Sequence, residues 1–165
     1  MGSNGSVIPL FINQLKNNNE VTLTNKEMTR FFITLDETIG LLIKAATISY
    51  GGEMLVMSMP SLRIEDLVTV LAKHYGNKDY KIKEIGIRPG EKIHEELISL
   101  IESYNTYKLD SNYYLIVPET MKEELSKLYN NFNDFEKLGC ISYNSSTNLL
   151  NEQEIEKRLR DGNFL

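Results

Sequence analysis

Arg88 ends an extended apolar run and is followed at once by Pro89 and Gly90, within IGIRPGEKIHEELI (Ile85–Ile98). Proline disfavours helical backbone in the residue before it and glycine frees the position after, so the arginine is aimed from an extended-to-turn conformation. A planar group with five donors suits a pair of phosphate oxygens, and in open α/β sheets ligands gather beyond the carboxyl ends of strands. The same residues also suit a plain strand-to-helix turn in which Arg88 pairs with a carboxylate; the local sequence leaves both readings open. Arg30, in MTRFF (Met28–Phe32), is a second such cation. If buried it demands a strongly accepting partner, either a ligand phosphate or Asp36 or Glu37. Glu91 either accepts from a sugar hydroxyl or favours the amino end of a helix. Upstream, GSNGSVIP sets Asn4, Ser6 and neighbouring backbone donors ahead of a helix, a pattern that suits cupping a phosphate or a ribose and equally suits a disordered start over Ser3–Ser6. It is not GxGxxG. His74 and His94 lack metal-ligand spacing and are expected on helix surfaces or in hydrogen bonds.

These residues need elements to hold them. Ile8, Phe11, Ile12 and Leu15 predict a helix over Val7–Lys16. Val21–Thr24 reads as a short strand, with a turn over Asn25–Thr29. Thr34 and Glu37 have capping-box spacing ahead of a helix bearing Leu35, Ile39, Leu42, Ile43 and Ala46, which ends at Gly51-Gly52. Met54–Met57 reads as a strand covered on both faces. Ser61 is expected to cap a helix whose apolar face is Ile64, Leu67, Val68 and Leu71 and which ends near Gly76. Tyr80–Ile87 reads as an edge strand, and Glu91–Ile101 as a helix with Glu95 and Glu96 on its wet face. Thr106–Leu109 and Tyr113–Val117 can pair through Asp110–Asn112. A helix over Met121–Tyr129 and a capping box at Asn151 and Glu154 complete the series. Strand–helix alternation from Met54 to Ile101 predicts an α/β arrangement, and the few strands suggest part of a larger fold.

Composition narrows the function. The chain has 18 Lys and Arg against 23 Asp and Glu, mixed along its length, so no basic stripe tracks a nucleic-acid backbone. No apolar run has the length needed to cross a bilayer, and no secretory signal pattern opens the sequence. The single Cys140 excludes an internal disulfide and a cysteine-based structural zinc site. A cytoplasmic setting is expected.

SNGSVIPLF (Ser3–Phe11), EMTRFFITLDE (Glu27–Glu37), GGEMLVMSMPSLRIEDL (Gly51–Leu67) and IGIRPGEKIHEELIS (Ile85–Ser99) together resemble the carboxyl-terminal half of nucleotide-sugar 4,6-dehydratases of the extended short-chain dehydrogenase/reductase family. More narrowly they resemble the inverting UDP-N-acetylglucosamine 4,6-dehydratases of the polysaccharide-biosynthesis group; YNTYKLDSNYYLIVP and ISYNSSTNLLNEQEI also look like the tail of that branch. The resemblance implies a carboxyl-terminal fragment of an extended Rossmann-type fold, comprising late sheet strands and helices plus the sugar-binding domain. On this reading residues 1–165 are one partial domain, with a substrate-side portion to about 118 and an extension of the same unit over 119–165. It implies that Arg30 and Arg88 contact or orient a diphosphate, that Glu91 holds the ribose, and that Asn4, Ser6, Val7 and Pro9 line the nucleotide side. Asn4 departs from the arginine that relatives often carry there. In the complete family enzyme NAD or NADP takes hydride from sugar C4, water leaves across C5 and C6, and hydride returns at C6. The resemblance places the cofactor loop and the catalytic tyrosine–lysine pair in the other half, so neither a cofactor nor a catalytic residue is expected here. Expected partners are a UDP-sugar, the amino-terminal Rossmann half as a separate chain, and a second copy. A non-catalytic interaction module or a degenerate fragment of the family is the alternative.

Overall fold

The computed structural model describes residues 7–76, 79–130 and 132–165. In chain order its elements are α1 (Val7–Asn18), β1 (Glu20–Leu23), β2 (Thr29–Phe31), α2 (Leu35–Ile48), β3 (Met54–Met57), β4 (Ser61–Arg63), α3 (Ile64–Tyr75), β5 (Lys81–Glu84), β6 (Glu96–Ile98), α4 (Leu100–Ser103), β7 (Thr106–Lys108), β8 (Tyr113–Ile116), α5 (Lys122–Leu128), β9 (Glu136–Lys137), β10 (Tyr143–Asn144) and α6 (Glu152–Asp161). This is an α/β fold of Rossmann-like type with both parallel and antiparallel pairing. The elements form two compact units.

The first unit takes the chain up to Thr34, then Pro60–Glu95 and Ser145–Leu165. Helix α1 buries Ile8, Phe11 and Leu15, the face its spacing predicts. Asn19 follows in the left-handed region at φ 48, and its amide closes the helix on the Leu15 carbonyl. The chain then enters β1, which pairs in parallel with β5, Val21 opposite Ile82. Strands β2 and β4 pair antiparallel, Arg30 opposite Leu62. Helix α3 buries Leu67, Val68 and Leu71 against the same core, and α6 adds Ile155 and Leu159. The Asn151–Glu154 capping box that starts α6 is formed in both directions. Ser61, expected as a helix cap, lies instead in β4, and Arg63 is the residue that precedes α3. The Ser61 hydroxyl donates to the Thr147 carbonyl.

The second unit takes Leu35–Met59 and Glu96–Asn144. Its sheet runs β3-β8-β7-β9, antiparallel throughout, and the β7–β8 hairpin is the one foreseen through Asp110–Asn112. Tyr107, Leu115, Val117, Leu125, Tyr129 and Phe132 make its core. Strand β3 is not covered on both faces: Met54 is half exposed and its neighbours are only partly buried. Helix α2 has no buried residue, and Leu35 and Leu42 are 70% and 64% exposed, so its predicted apolar stripe meets no partner among the described residues.

The helix expected over Glu91–Ile101 is absent. Residues 91–95 are irregular, Glu96–Ile98 form β6 against β10, and helix begins only at Leu100, where Ser99 and Glu102 build a complete capping box. Tertiary hydrogen bonds to the Lys92 and Ile93 carbonyls, described below, hold this segment outside any helical ladder.

Candidate functional site

Within the first unit, Arg88, Pro89, Gly90 and Glu91 form a tight turn. The Glu91 amide donates to the Arg88 carbonyl at 3.0 Å and Gly90 takes φ 84, the positive value required after a proline at the second position of a type II turn. The expectation drawn from Pro89 and Gly90 holds: Arg88 leaves an extended segment, with Ile85 still bonded to the Leu23 carbonyl at 2.8 Å, and stands at the rim of a cavity of about 400 Å³. The cavity floor is apolar, with Val7, Phe11, Leu23, Met28 and Ile64, while Arg30, Arg88 and Glu91 are its charged members. An apolar recess with few convergent polar groups is the usual form of a small-molecule site.

The two arginines differ in state. Arg88 is exposed, and among the described residues its guanidinium has no carboxylate within ion-pair distance. Arg30 is 26% exposed and fully engaged. Its Nη1 donates to the carbonyls of Thr29 (2.7 Å) and Ile93 (3.0 Å). Its Nη2 donates to the Lys92 carbonyl and approaches Met28 Sδ, each at 3.0 Å. Nε lies 3.5 Å from Glu95 Oε1, and Nη2 lies 4.0 Å from Glu91 Oε1. Asp36 and Glu37, weighed as its partners, are therefore replaced by Glu91, Glu95 and backbone. Glu91 also receives a bond from the Thr24 hydroxyl at 3.3 Å, which orients its carboxylate at the cavity edge.

Val7 lines the cavity; Pro9 is exposed in the first turn of α1 and does not; Asn4 and Ser6 lie outside the described residues. Both histidines behave as foreseen. His94 Nδ1 lies 2.8 Å from Thr29 Oγ1, and His74 Nε2 lies 3.3 Å from Glu156 Oε1. Among the described residues no cluster of His, Cys, Asp and Glu could hold a metal.

Sequence reasoning missed Ser145 and Thr29, both buried, beneath the 91–95 segment. Ser145 Oγ lies 2.6 Å from Thr29 Oγ1, accepts from the Glu95 amide at 2.9 Å and donates to the Thr29 carbonyl at 3.1 Å. Nothing local announces such a pair, since the two residues are 116 positions apart. One tyrosine–lysine pair in the sequence does have four-residue spacing, Tyr104 and Lys108 in YNTYK. The structure gives it no catalytic geometry. Tyr104 ends α4 with its hydroxyl 3.0 Å from Cys140 Sγ, a bond that raises the phenol's pKa, whereas a base needs it lowered toward the working pH. Lys108 sits in β7, 3.7 Å from Glu136 Oε2.

A dinucleotide pyrophosphate is held where a strand feeds the amino end of a helix. Among the described residues neither strand of the parallel pair does so: β1 leads to β2, and β5 leads into the Arg88 turn.

With this geometry established, comparison with known proteins gives a consistent picture. Over its full length the chain is 39% identical to an uncharacterized membrane protein of Methanocaldococcus jannaschii, covering 48% of that protein. It is 41% identical over 116 residues to a UDP-glucose 4-epimerase of Rickettsia bellii, covering 70% of this chain and 33% of that one. It is 40% identical over 119 residues to a UDP-N-acetylglucosamine 4,6-dehydratase (inverting) of Campylobacter jejuni, covering 72% of this chain and 34% of the relative. The X-ray structure of Pen from Bacillus thuringiensis superposes with a TM-score of 0.83 at 33% identity, over 100% of this chain and 48% of that one. The chain thus spans about half or less of the length of the relatives it matches. Among the described residues no helix is long and apolar enough to cross a membrane. Residues 1–117 match the family described as polysaccharide biosynthesis protein, and the chain belongs to that family, within the extended short-chain dehydrogenase/reductase superfamily of sugar epimerases and dehydratases.

Proposed function

We propose that this chain is the sugar-nucleotide-binding portion of a UDP-N-acetylglucosamine-type 4,6-dehydratase in polysaccharide precursor synthesis, a carboxyl-terminal part that is inactive alone. The carrying observation is the exposed Arg88 guanidinium beside an apolar recess that also holds an oriented carboxylate, Glu91. In this reading the apolar floor takes the nucleoside, Arg88 meets the diphosphate and Glu91 accepts from a ribose hydroxyl. NAD or NADP, held by the other half of the enzyme, supplies hydride acceptance and return. This chain's share is to bind the sugar nucleotide and orient it. A UDP-glucose 4-epimerase is the second reading, because the Rickettsia bellii relative is as similar as the dehydratase.

The test is calorimetric titration with UDP, UMP and UDP-N-acetylglucosamine. A bidentate arginine–phosphate contact is worth about 1.5–3 kcal/mol, so Arg88→Ala should weaken UDP about 10- to 150-fold and affect UMP less. A folded wild-type chain that binds neither UDP nor UDP-sugar at millimolar concentration would overturn the reading. Addition of UDP-N-acetylglucosamine and NAD(P) to this chain alone should give no 4-keto product. Supplying the missing half and finding an epimer in place of the keto sugar would select the epimerase.

A further inference from the structure

His94 takes no part in the Arg88 recess. Its Nδ1 lies 2.8 Å from the Thr29 hydroxyl, which in turn lies 2.6 Å from the Ser145 hydroxyl. Thr29 and Ser145 are buried, so each of these contacts needs an assigned proton. Ser145 accepts from the Glu95 amide and gives its one proton to the Thr29 carbonyl. Thr29 must then donate to Ser145, and only His94 is left to supply the proton of the Thr29–His94 bond. The opposite order leaves the contact with the Thr29 carbonyl without a proton. The network therefore sets His94 as the Nδ1–H tautomer, with Nε2 an unprotonated acceptor. The imidazole borders a separate recess of about 320 Å³, which shares no lining residue with the Arg88 recess. Lys26 and Glu27, from the β1–β2 connection, Arg63, from β4, and Glu65, from the first turn of α3, line it too. Two cations and two carboxylates thus border one small space, and among the described residues none of the four has an ion-pair partner.

We propose that this recess is a second ligand site, which takes a compact zwitterion of the amino-acid class. Arg63 and Lys26 meet the carboxylate; Glu27, Glu65 and the lone pair of His94 Nε2 meet the ammonium. A simple anion is opposed by two carboxylates and an acceptor nitrogen, and a simple cation by Arg63 and Lys26. A molecule carrying both charges uses all five groups. The volume lies at the small end of ligand pockets, which run from about 300 to 1,000 Å³, and so suits a ligand of few atoms. The tautomer also sets the sign of the pH effect. Acidification adds a proton at Nε2 and leaves the Nδ1–H bond to Thr29 in place. The acceptor becomes a charged donor beside Lys26 and Arg63, while Glu95, the next residue, is held by Arg30. Acid therefore weakens a zwitterion here and would strengthen a simple anion. The site stands independently of the sugar-nucleotide reading.

The experiment is a nitrogen-15 spectrum of the imidazoles in the full chain, with His94 assigned from His74→Gln, during titration with each of the common amino acids at millimolar concentration. Before any addition Nε2 should resonate as the unprotonated nitrogen; an Nε2–H signal overturns the tautomer and the proposal with it. At least one amino acid should then move the His94 signals to saturation. Acetate and methylamine, each with half of the charge pattern, should bind about tenfold or more weakly, and Arg63→Ala should weaken the amino acid by a similar factor. The wild-type affinity should fall about tenfold between about pH 8 and pH 5. His94→Gln, whose amide oxygen accepts without titrating, should hold its affinity across that range. No amino acid that shifts His94, acetate as tight as the amino acid, affinity that rises in acid, or a pH effect that persists in His94→Gln overturns the proposal. The wild-type titrations decide even where a variant fails to fold.

Discussion

Replacing Ser145 by alanine tests the buried support beneath the site. The hydroxyl is inaccessible to solvent and has three partners: the Glu95 amide, the Thr29 carbonyl and the Thr29 hydroxyl. They are not equally dependent on it. The Thr29 carbonyl retains Arg30 Nη1, and the Thr29 hydroxyl retains His94 Nδ1. The Glu95 amide loses the partner described for it. A part-buried donor left without its partner costs about 1 kcal/mol, the low end of the buried range, and each of the two other lost bonds up to about 1 kcal/mol, so Ser145→Ala should destabilise the first unit by about 2–3 kcal/mol. Small domains have about 5–15 kcal/mol in total. With a urea dependence of about 1–3 kcal/mol per molar, the midpoint should fall by about 1 M. Circular dichroism follows the transition that unfolds α3 and α6, and tyrosine emission provides a second signal in a chain with no tryptophan. Ser126→Ala, which removes an exposed bond to the Glu123 carbonyl, is the control and should stay within about 0.5 kcal/mol of wild type. If Ser145→Ala matches that control, the hydroxyl does not support the segment as argued.

Asn151→Ala removes a capping box from α6, whose Ile155 and Leu159 are fully buried, and should cost about 1 kcal/mol, read as a lower melting temperature. In the second unit Glu53 is pulled down from 4.5: burial opposes the shift, but the Tyr129 hydroxyl and the backbone amides of Tyr50 and Gly51 outweigh it. A depressed carboxyl contributes stability above its unfolded value and loses it as pH falls through the folded one. The melting-temperature gap between wild type and Tyr129→Phe should therefore be widest near neutrality and narrow below pH 4.5; a constant gap would contradict the pairing. Tyr129 itself is pushed well above the ordinary tyrosine range, first by burial and then by Glu53, so its share persists through neutral pH and is lost only at strongly alkaline pH.

The helices and the Arg88 turn were legible in the sequence because their causes are local. Leu15 falls on the same face as Ile8 and Phe11, Asn151 caps its own helix, and a proline followed by glycine dictates its own turn. What escaped depended on distant partners. Strands β2 and β4 have three residues each and exist through each other. The segment after Glu91 has helical spacing, yet Arg30 takes its carbonyls from a position more than 60 residues earlier, and that tertiary claim overrides a weak local preference. Helix α2 was legible as an element, but its lack of cover was not, since periodicity marks an apolar face without saying what meets it. Of the site, the residue types and the turn could be read; the different states of Arg30 and Arg88 could not, because they depend on Glu95 and on backbone groups that no spacing rule connects.

The division of the chain carries a practical corollary. The polypeptide passes from one unit to the other after Thr34, Met59, Glu95 and Asn144, so no single cut can excise either. The exits are closely matched, however: the Phe32 amide bonds to the Pro60 carbonyl at 2.9 Å, and the Ser145 amide to the Glu95 carbonyl at 2.8 Å. Two short glycine bridges, one joining Phe32 to Pro60 and one joining Glu95 to Ser145, would span gaps of a single strand spacing. They would yield a minimal protein that keeps the Arg88 recess on its own hydrophobic core.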